Sequence, residues 1–172
     1  MKIHVACLQL FNGCQLYQNP GSIIKNRARV AAGRNRQQRP MASSSWYMAA
    51  RFVEELNKLD GDHRYRLPSE AEWEVAARAG STGPGPMPVE NPDEYAWFIN
   101  NSGDKPQVVA RRKVNAFGVC DMPGNVRERV DDRYGANSYA RLAADPLGPA
   151  KGFSRVRRGG SCYCPLHLLR PG

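Results

Sequence analysis

No apolar stretch in this 172-residue chain approaches the ~20 residues of a membrane-spanning helix, so a helical transmembrane protein is excluded. No Asp or Glu occurs before residue 40, although Lys2, Lys25, Arg27, Arg29, Arg34, Arg36 and Arg39 all lie there. The remainder holds 18 basic against 16 acidic residues, so the net charge of +9 describes a basic segment joined to a nearly neutral body. The five cysteines (Cys7, Cys14, Cys120, Cys162, Cys164) show no repeated metal-ligand spacing, and their odd number argues against a disulfide scaffold. A reducing compartment, the cytoplasm by default, is therefore expected, because Met1–Leu16 is too interrupted by His4, Gln9 and Asn12 to read as a signal peptide. Aromatics are scarce in the basic segment (Phe11 and Tyr17), which leaves base stacking without support.

What is present is ordinary globular composition, with 41% hydrophobic and 24% charged residues, so wholesale disorder and fibrous classes fall away. Residues 1–38 carry no sustained period and read as a basic, disordered arm; residues 39–172 read as one domain. Counterion release would let the arm bind nucleic acid, an alternative that ranks below a solvated tail.

From Ser43 the pattern is helical. Trp46, Ala49, Ala50, Phe52, Val53, Leu56 and Leu59 form one stripe, with Gly61 as the stop. Tyr65–Pro68 reads as extended, since Pro68 disfavours helix at Leu67. Ser69-Glu70-Ala71-Glu72 then forms a capping box opening a second helix, with Trp73, Ala76 and Ala77 inward and Gly80 at its end. Capping accounts for Glu70, Glu72 and Glu74 more cheaply than acid/base chemistry does. Gly83–Pro92 is a loop. Tyr95–Phe98 and Gln107–Ala110 read as short strands, and Arg155–Arg158 as a strand meeting the Gly159-Gly160 turn. Two helices followed by short strands and long loops make an α+β domain.

One segment draws attention on its residues alone. Asp121 and Glu128 flank Met-Pro-Gly-Asn, a sharp turn that can aim main-chain carbonyls between two carboxylates, as a hard cation such as calcium requires. The same residues are equally a Pro-Gly turn with a capping Asp and a surface Glu that binds nothing, and composition favours that second reading.

The order of Tyr65-Arg66-Leu67-Pro68-Ser69-Glu70-Ala71-Glu72-Trp73-Glu74, Asn115-Ala116-Phe117-Gly118, Asp121-Met122-Pro123-Gly124-Asn125-Val126, Asp145-Pro146-Leu147-Gly148-Pro149 and Arg158-Gly159-Gly160-Ser161 resembles the formylglycine-generating enzyme, or sulfatase-modifying factor, family over residues 39–162. The resemblance implies a C-type-lectin-like α+β fold, two helices packed on short antiparallel strands with long loops. It makes the turn a structural calcium site, carried to the Asp121 side chain, the Gly124 and Val126 carbonyls and the Glu128 side chain, and it reverses the preference for an empty turn.

In the family's oxidases, two cysteines bind copper and a sulfatase cysteine becomes formylglycine. The first cysteine maps to Cys164, but the second maps to Leu169, and one thiolate cannot supply the paired sulfur ligation that suits Cu(I). His4, His63 and His167 match none of the histidine set of the family's non-heme iron members. The expectation is a module of this family without competent oxidase chemistry, stabilised by calcium and binding a protein or peptide, a sulfatase among the candidates. The alternative is a copper-dependent oxidase relying on Cys164.

Arg127, Arg129, Arg133 and Cys162 stand where the family usually has Trp, and a buried unpaired guanidinium there would cost several kcal/mol. The family's opening strands and closing Gly-Phe-Arg strand have no counterpart, so a divergent domain lacking original sequence at both ends is expected.

Overall fold

A computed structural model describes residues 3–5, 39–59, 64–83, 91–135 and 148–169. Residues 6–38 of the basic segment, the 84–90 part of the Gly/Pro-rich loop and the Asp145–Leu147 part of one motif lie outside the described residues. Strand β1 (Ile3–Val5) runs parallel to β2 (Arg64–Arg66), with Ile3 opposite Arg64 and Val5 opposite Arg66. It falls within the segment read as an arm.

Helix α1 (Trp46–Leu59) packs on β2 as its stripe requires. Ala49, Val53, Tyr65 and Leu67 are buried together, with Trp46, Phe52 and Leu56 half-buried against them. Leu59 departs from the stripe and is 84% exposed. The Asn57 side chain ties the helix to the strand, accepting from the Tyr65 N–H (2.6 Å) and donating to the Tyr65 carbonyl (2.9 Å).

Helix α2 (Glu70–Arg78) begins at the expected capping box. Ser69 Oγ accepts from the Glu72 N–H (3.2 Å), and the Glu72 carboxylate accepts from the Ser69 N–H (2.8 Å). Glu72 also takes both arms of Arg66 at 2.7 and 2.6 Å. Glu70 and Glu74 face Arg158 at 3.5 Å each, so the three glutamates are structural. Trp73, Ala76 and Ala77 are buried against Val119, Met122, Val130 and Val156, the larger core.

The second sheet pairs β3 (Glu128–Arg133) with β4 (Arg155–Arg158), antiparallel, Glu128 opposite Arg158 and Arg129 opposite Arg157. Gly159 (φ +83°) and Gly160 (φ +70°) then turn the chain as expected. A third cluster, Ala96, Phe98, Cys164 and Leu169, closes the far side.

Among the described residues the architecture is α+β, with two longer helices, two single-turn helical segments and two small ladders joined by long loops. Three expectations change. Tyr95–Phe98 is not a strand: Pro92 opens a one-turn helix, α3 (Pro92–Tyr95), and Trp97 alone bridges to Gly124. Gln107–Ala110 is a turn instead of a strand, with Ala110 at φ +56° and its N–H spent on Asp121. The arginines standing where the family usually has Trp are not buried. Arg127 is exposed and Arg129 and Arg133 half-exposed on the outward positions of β3; only Cys162 is enclosed.

Candidate functional site

The Asp121–Glu128 turn is buried from Asp121 to Val126, and Glu128 is 1% exposed, so the surface-Glu reading is overturned. The turn is pinned from four sides. The Gly124 N–H donates to the Gly159 carbonyl (2.7 Å), the Asn125 N–H to the Trp97 carbonyl (2.8 Å), and the Cys162 N–H to the Asn125 carbonyl (2.8 Å). The Asn125 side chain, fully buried, accepts from the Gln107 N–H (2.9 Å) and donates to the Gln107 carbonyl (3.2 Å). The doubled bond of Asn125 to a loop 18 residues away is a tertiary fact with no local signal in the motif.

Asp121 (φ +58°) and Gly124 (φ +82°) take left-handed conformations. At Gly124 a Cβ would lie 2.1 Å from the Trp97 carbonyl oxygen, so glycine is required by space as well as by φ. Asp121 Oδ2 accepts from the Ala110 N–H (2.5 Å). Burial pushes its carboxyl above the ordinary value, against the pull of that amide, the Cys120 thiol and the Arg112 charge. Glu128 Oε2 accepts from the Trp73 indole N–H at 2.6 Å, a contact between α2 and β3 that residue spacing could not announce.

The four expected ligands, two buried carboxylates and two main-chain carbonyls, are all oxygens, the donor type that suits calcium and not a soft metal. Among the described residues no three His, Cys, Asp or Glu side chains converge on a metal site.

The sulfur site is different. Cys164 is 6% exposed, with Sγ 3.3 Å from Ser161 Oγ and 3.6 Å from an Arg127 amine. Burial pushes the thiol up, but the Ser161 and Arg127 hydrogen bonds outweigh it, and its pKa is lowered. Cys162 is raised by burial, and Cys120 is pushed up to about 12, chiefly by burial. Leu169 is fully enclosed in the same apolar cluster as Cys164. A second sulfur is therefore replaced by hydrocarbon, and the residues present do not fit a copper centre held by paired thiolates. His167 is exposed.

A small α+β scaffold built around such a pinned turn is the fold of the formylglycine-generating enzymes. The family described as "Sulfatase-modifying factor enzyme 1-like domain" matches residues 11–172, and the chain belongs to it. The match starts well ahead of the boundary at 39 expected from the residues.

Among curated relatives, the chain is 35% identical over 130 residues to Serine/threonine-protein kinase pkn1 of Chlamydia caviae, covering 74% of this chain and 19% of that protein. It is 30% identical over 153 residues to the Formylglycine-generating enzyme of Streptomyces coelicolor, covering 75% of this chain and 44% of that protein. The chain thus spans about a fifth to under half the length of these relatives. Among solved structures, PvdO from Pseudomonas aeruginosa superposes with a TM-score of 0.69 at 30% identity, covering 79% of this chain and 55% of that one.

Proposed function

We propose that this chain is a binding or accessory module of the sulfatase-modifying factor family, stabilised by calcium at the Asp121–Glu128 turn and without formylglycine-forming oxidase activity. The observation that carries this reading is Leu169, fully enclosed where the second copper-binding sulfur would have to lie. The all-oxygen donor set and the burial of both carboxylates support the calcium half. The relative named as a protein kinase, of which the shared region is 19%, supports a role for such domains as parts of proteins with another activity. The partner is a protein or peptide, a sulfatase among the candidates.

Calcium bound only to the folded state stabilises by mass action. A hundredfold excess over Kd is worth about 2.7 kcal/mol, so calcium is expected to raise Tm by several degrees. Asp121→Ala or Glu128→Ala removes that response. Identical melts in calcium and in chelator, for a folded wild-type chain, reject the calcium reading.

One observation favours the other reading. The lowered thiol pKa of Cys164 is suited to metal binding or nucleophilic chemistry. A copper-dependent assay on a cysteine-containing sulfatase peptide decides between them. Turnover that vanishes in Cys164→Ser overturns the non-oxidase reading.

A further inference from the structure

We propose that the outward face of the β3–β4 ladder is an anion site, taking a doubly charged tetrahedral oxyanion of the phosphate or sulfate class between the guanidiniums of Arg129 and Arg157. The two arginines are direct partners across the antiparallel ladder, so their side chains leave the same face as neighbours. Like charges directly opposite one another destabilise a sheet, and a fold gains nothing from this pairing unless an anion lies between them.

Arg129 is also held in place. Its Nε donates to the Ser44 carbonyl at 3.1 Å and one terminal amine donates to the same oxygen, which leaves the other edge of the fork for an outside acceptor. Arg157 is exposed, and among the described residues no carboxylate pairs with Arg127, Arg129 or Arg157. The acid nearest along the outward row of β3 is Asp131, and Arg155 already faces it at 3.5 Å. Arg127 continues the row two residues before Arg129, roughly 6–7 Å along an extended chain. A planar fork anchored on one edge beside a second, exposed guanidinium is the arrangement that recognises a tetrahedral oxyanion by paired N–H bonds.

The central pair, Arg129 and Arg157, uses neither the carboxylates of the turn nor Cys164, so the site stands or falls separately from both. The test is thermal melting in inorganic phosphate against sodium chloride at matched ionic strength, for wild type, Arg157→Gln, Arg157→Lys and the exposed control Arg111→Gln. Wild type is expected to gain about 3–5 °C in phosphate at tenfold excess over Kd, beyond any gain in chloride. Arg157→Gln is expected to lose that gain and to melt higher than wild type in chloride, because the like-charge contact is gone; Arg157→Lys keeps part of the gain, and Arg111→Gln all of it. A short oligothymidylate as second probe separates the sources. Binding at least tenfold tighter than phosphate, still abolished by Arg157→Gln, assigns the phosphate to a polymer running along Arg127; no such tightening assigns it to a discrete ion or ester. Equal gains in phosphate and chloride, a full phosphate gain in Arg157→Gln, or a lower chloride melt for that variant would each overturn the site.

Discussion

Replacing Trp73 by Phe removes two things at once, and their sizes can be worked separately. The indole is 1% exposed at the centre of the larger core, between α2 and the β3–β4 ladder. Its N–H donates at 2.6 Å to a glutamate that is itself 1% exposed. Losing a hydrogen bond to a buried acceptor costs about 1–3 kcal/mol. Trimming the pyrrole edge from a close-packed site adds about 1 kcal/mol. The total of about 2–4 kcal/mol is a large part of the 5–15 kcal/mol typical of a domain, and corresponds to a drop of roughly 10 °C in Tm. Urea unfolding followed by far-ultraviolet circular dichroism measures it without relying on the altered fluorescence. A double-mutant cycle with Glu128→Gln isolates the bond, and a coupling of about 1–2 kcal/mol is expected. A loss below about 1 kcal/mol with zero coupling would refute the view that α2 and β3 are joined through a hydrogen bond to a buried carboxyl group.

The remaining predictions concern geometry and titration. Gly124→Ala drives a methyl to 2.1 Å from the Trp97 carbonyl oxygen at φ +82°, and is expected to cost upward of about 3 kcal/mol; a melting curve like that of wild type counts against the pinned turn. A difference titration at the thiolate absorbance band, wild type minus Cys164→Ser, is expected to place Cys164 below an ordinary thiol and to move up in Arg127→Ala; no movement means that Arg127 does not lower it. Glu72 is lowered, first by its hydrogen bond from Arg66, so its contribution is present at neutral pH and lost as pH falls below 4.5 through the folded value. The pair is partly exposed and the effect is accordingly modest, but Glu72→Gln should flatten the acid limb of Tm against pH, and an unchanged limb removes Glu72 from the account.

What could be read in advance was what neighbours in sequence encode. The capping box of α2 needs four consecutive residues, the stripe of α1 needs one period, and the Gly159-Gly160 turn needs two glycines; each was legible. Strand β3 was not, and the reason is physical. Its residues, Glu-Arg-Val-Asp-Asp-Arg, carry one apolar side chain, yet Glu128, Val130 and Asp132 all point inward. The alternation is real but written in charged residues. Glu128 accepts the Trp73 indole N–H (2.6 Å), and Asp132 accepts the Glu70 N–H (2.6 Å) and the Gly148 N–H (2.8 Å). An inward carboxylate with a partner 55 or 62 residues away looks like a solvated one until the partners meet. The same blindness left a surface Glu128 open as an alternative and left the outward placement of Arg129 and Arg133 unread. For the site itself, motif order located the turn, while the indole contact, the Asn125 clasp and the Ser161–Cys164–Arg127 cluster belong to tertiary structure alone.

The two halves of the site respond differently to substitution, and this explains how family membership and oxidase chemistry can part company. The Asp121–Glu128 turn is clasped by main-chain bonds to Trp97, Gly159 and Cys162, together with the Asn125–Gln107 pair, so its shape is part of the fold and cannot drift without unfolding its surroundings. The position of Leu169 carries no such demand. A side chain there only has to fill space beside Ala96, Phe98 and Cys164, and a leucine does so with the stabilisation of a fully buried aliphatic, about 2 kcal/mol, where a metal-binding sulfur would ask for a ligand cavity. On the proposed reading, a leucine at that position strengthens the wall at the expense of a sulfur pair, a trade of function for stability that selection permits where oxidation of a partner is not required. The oxygen-lined turn has no equivalent exchange available, because losing either carboxylate strands its buried partners.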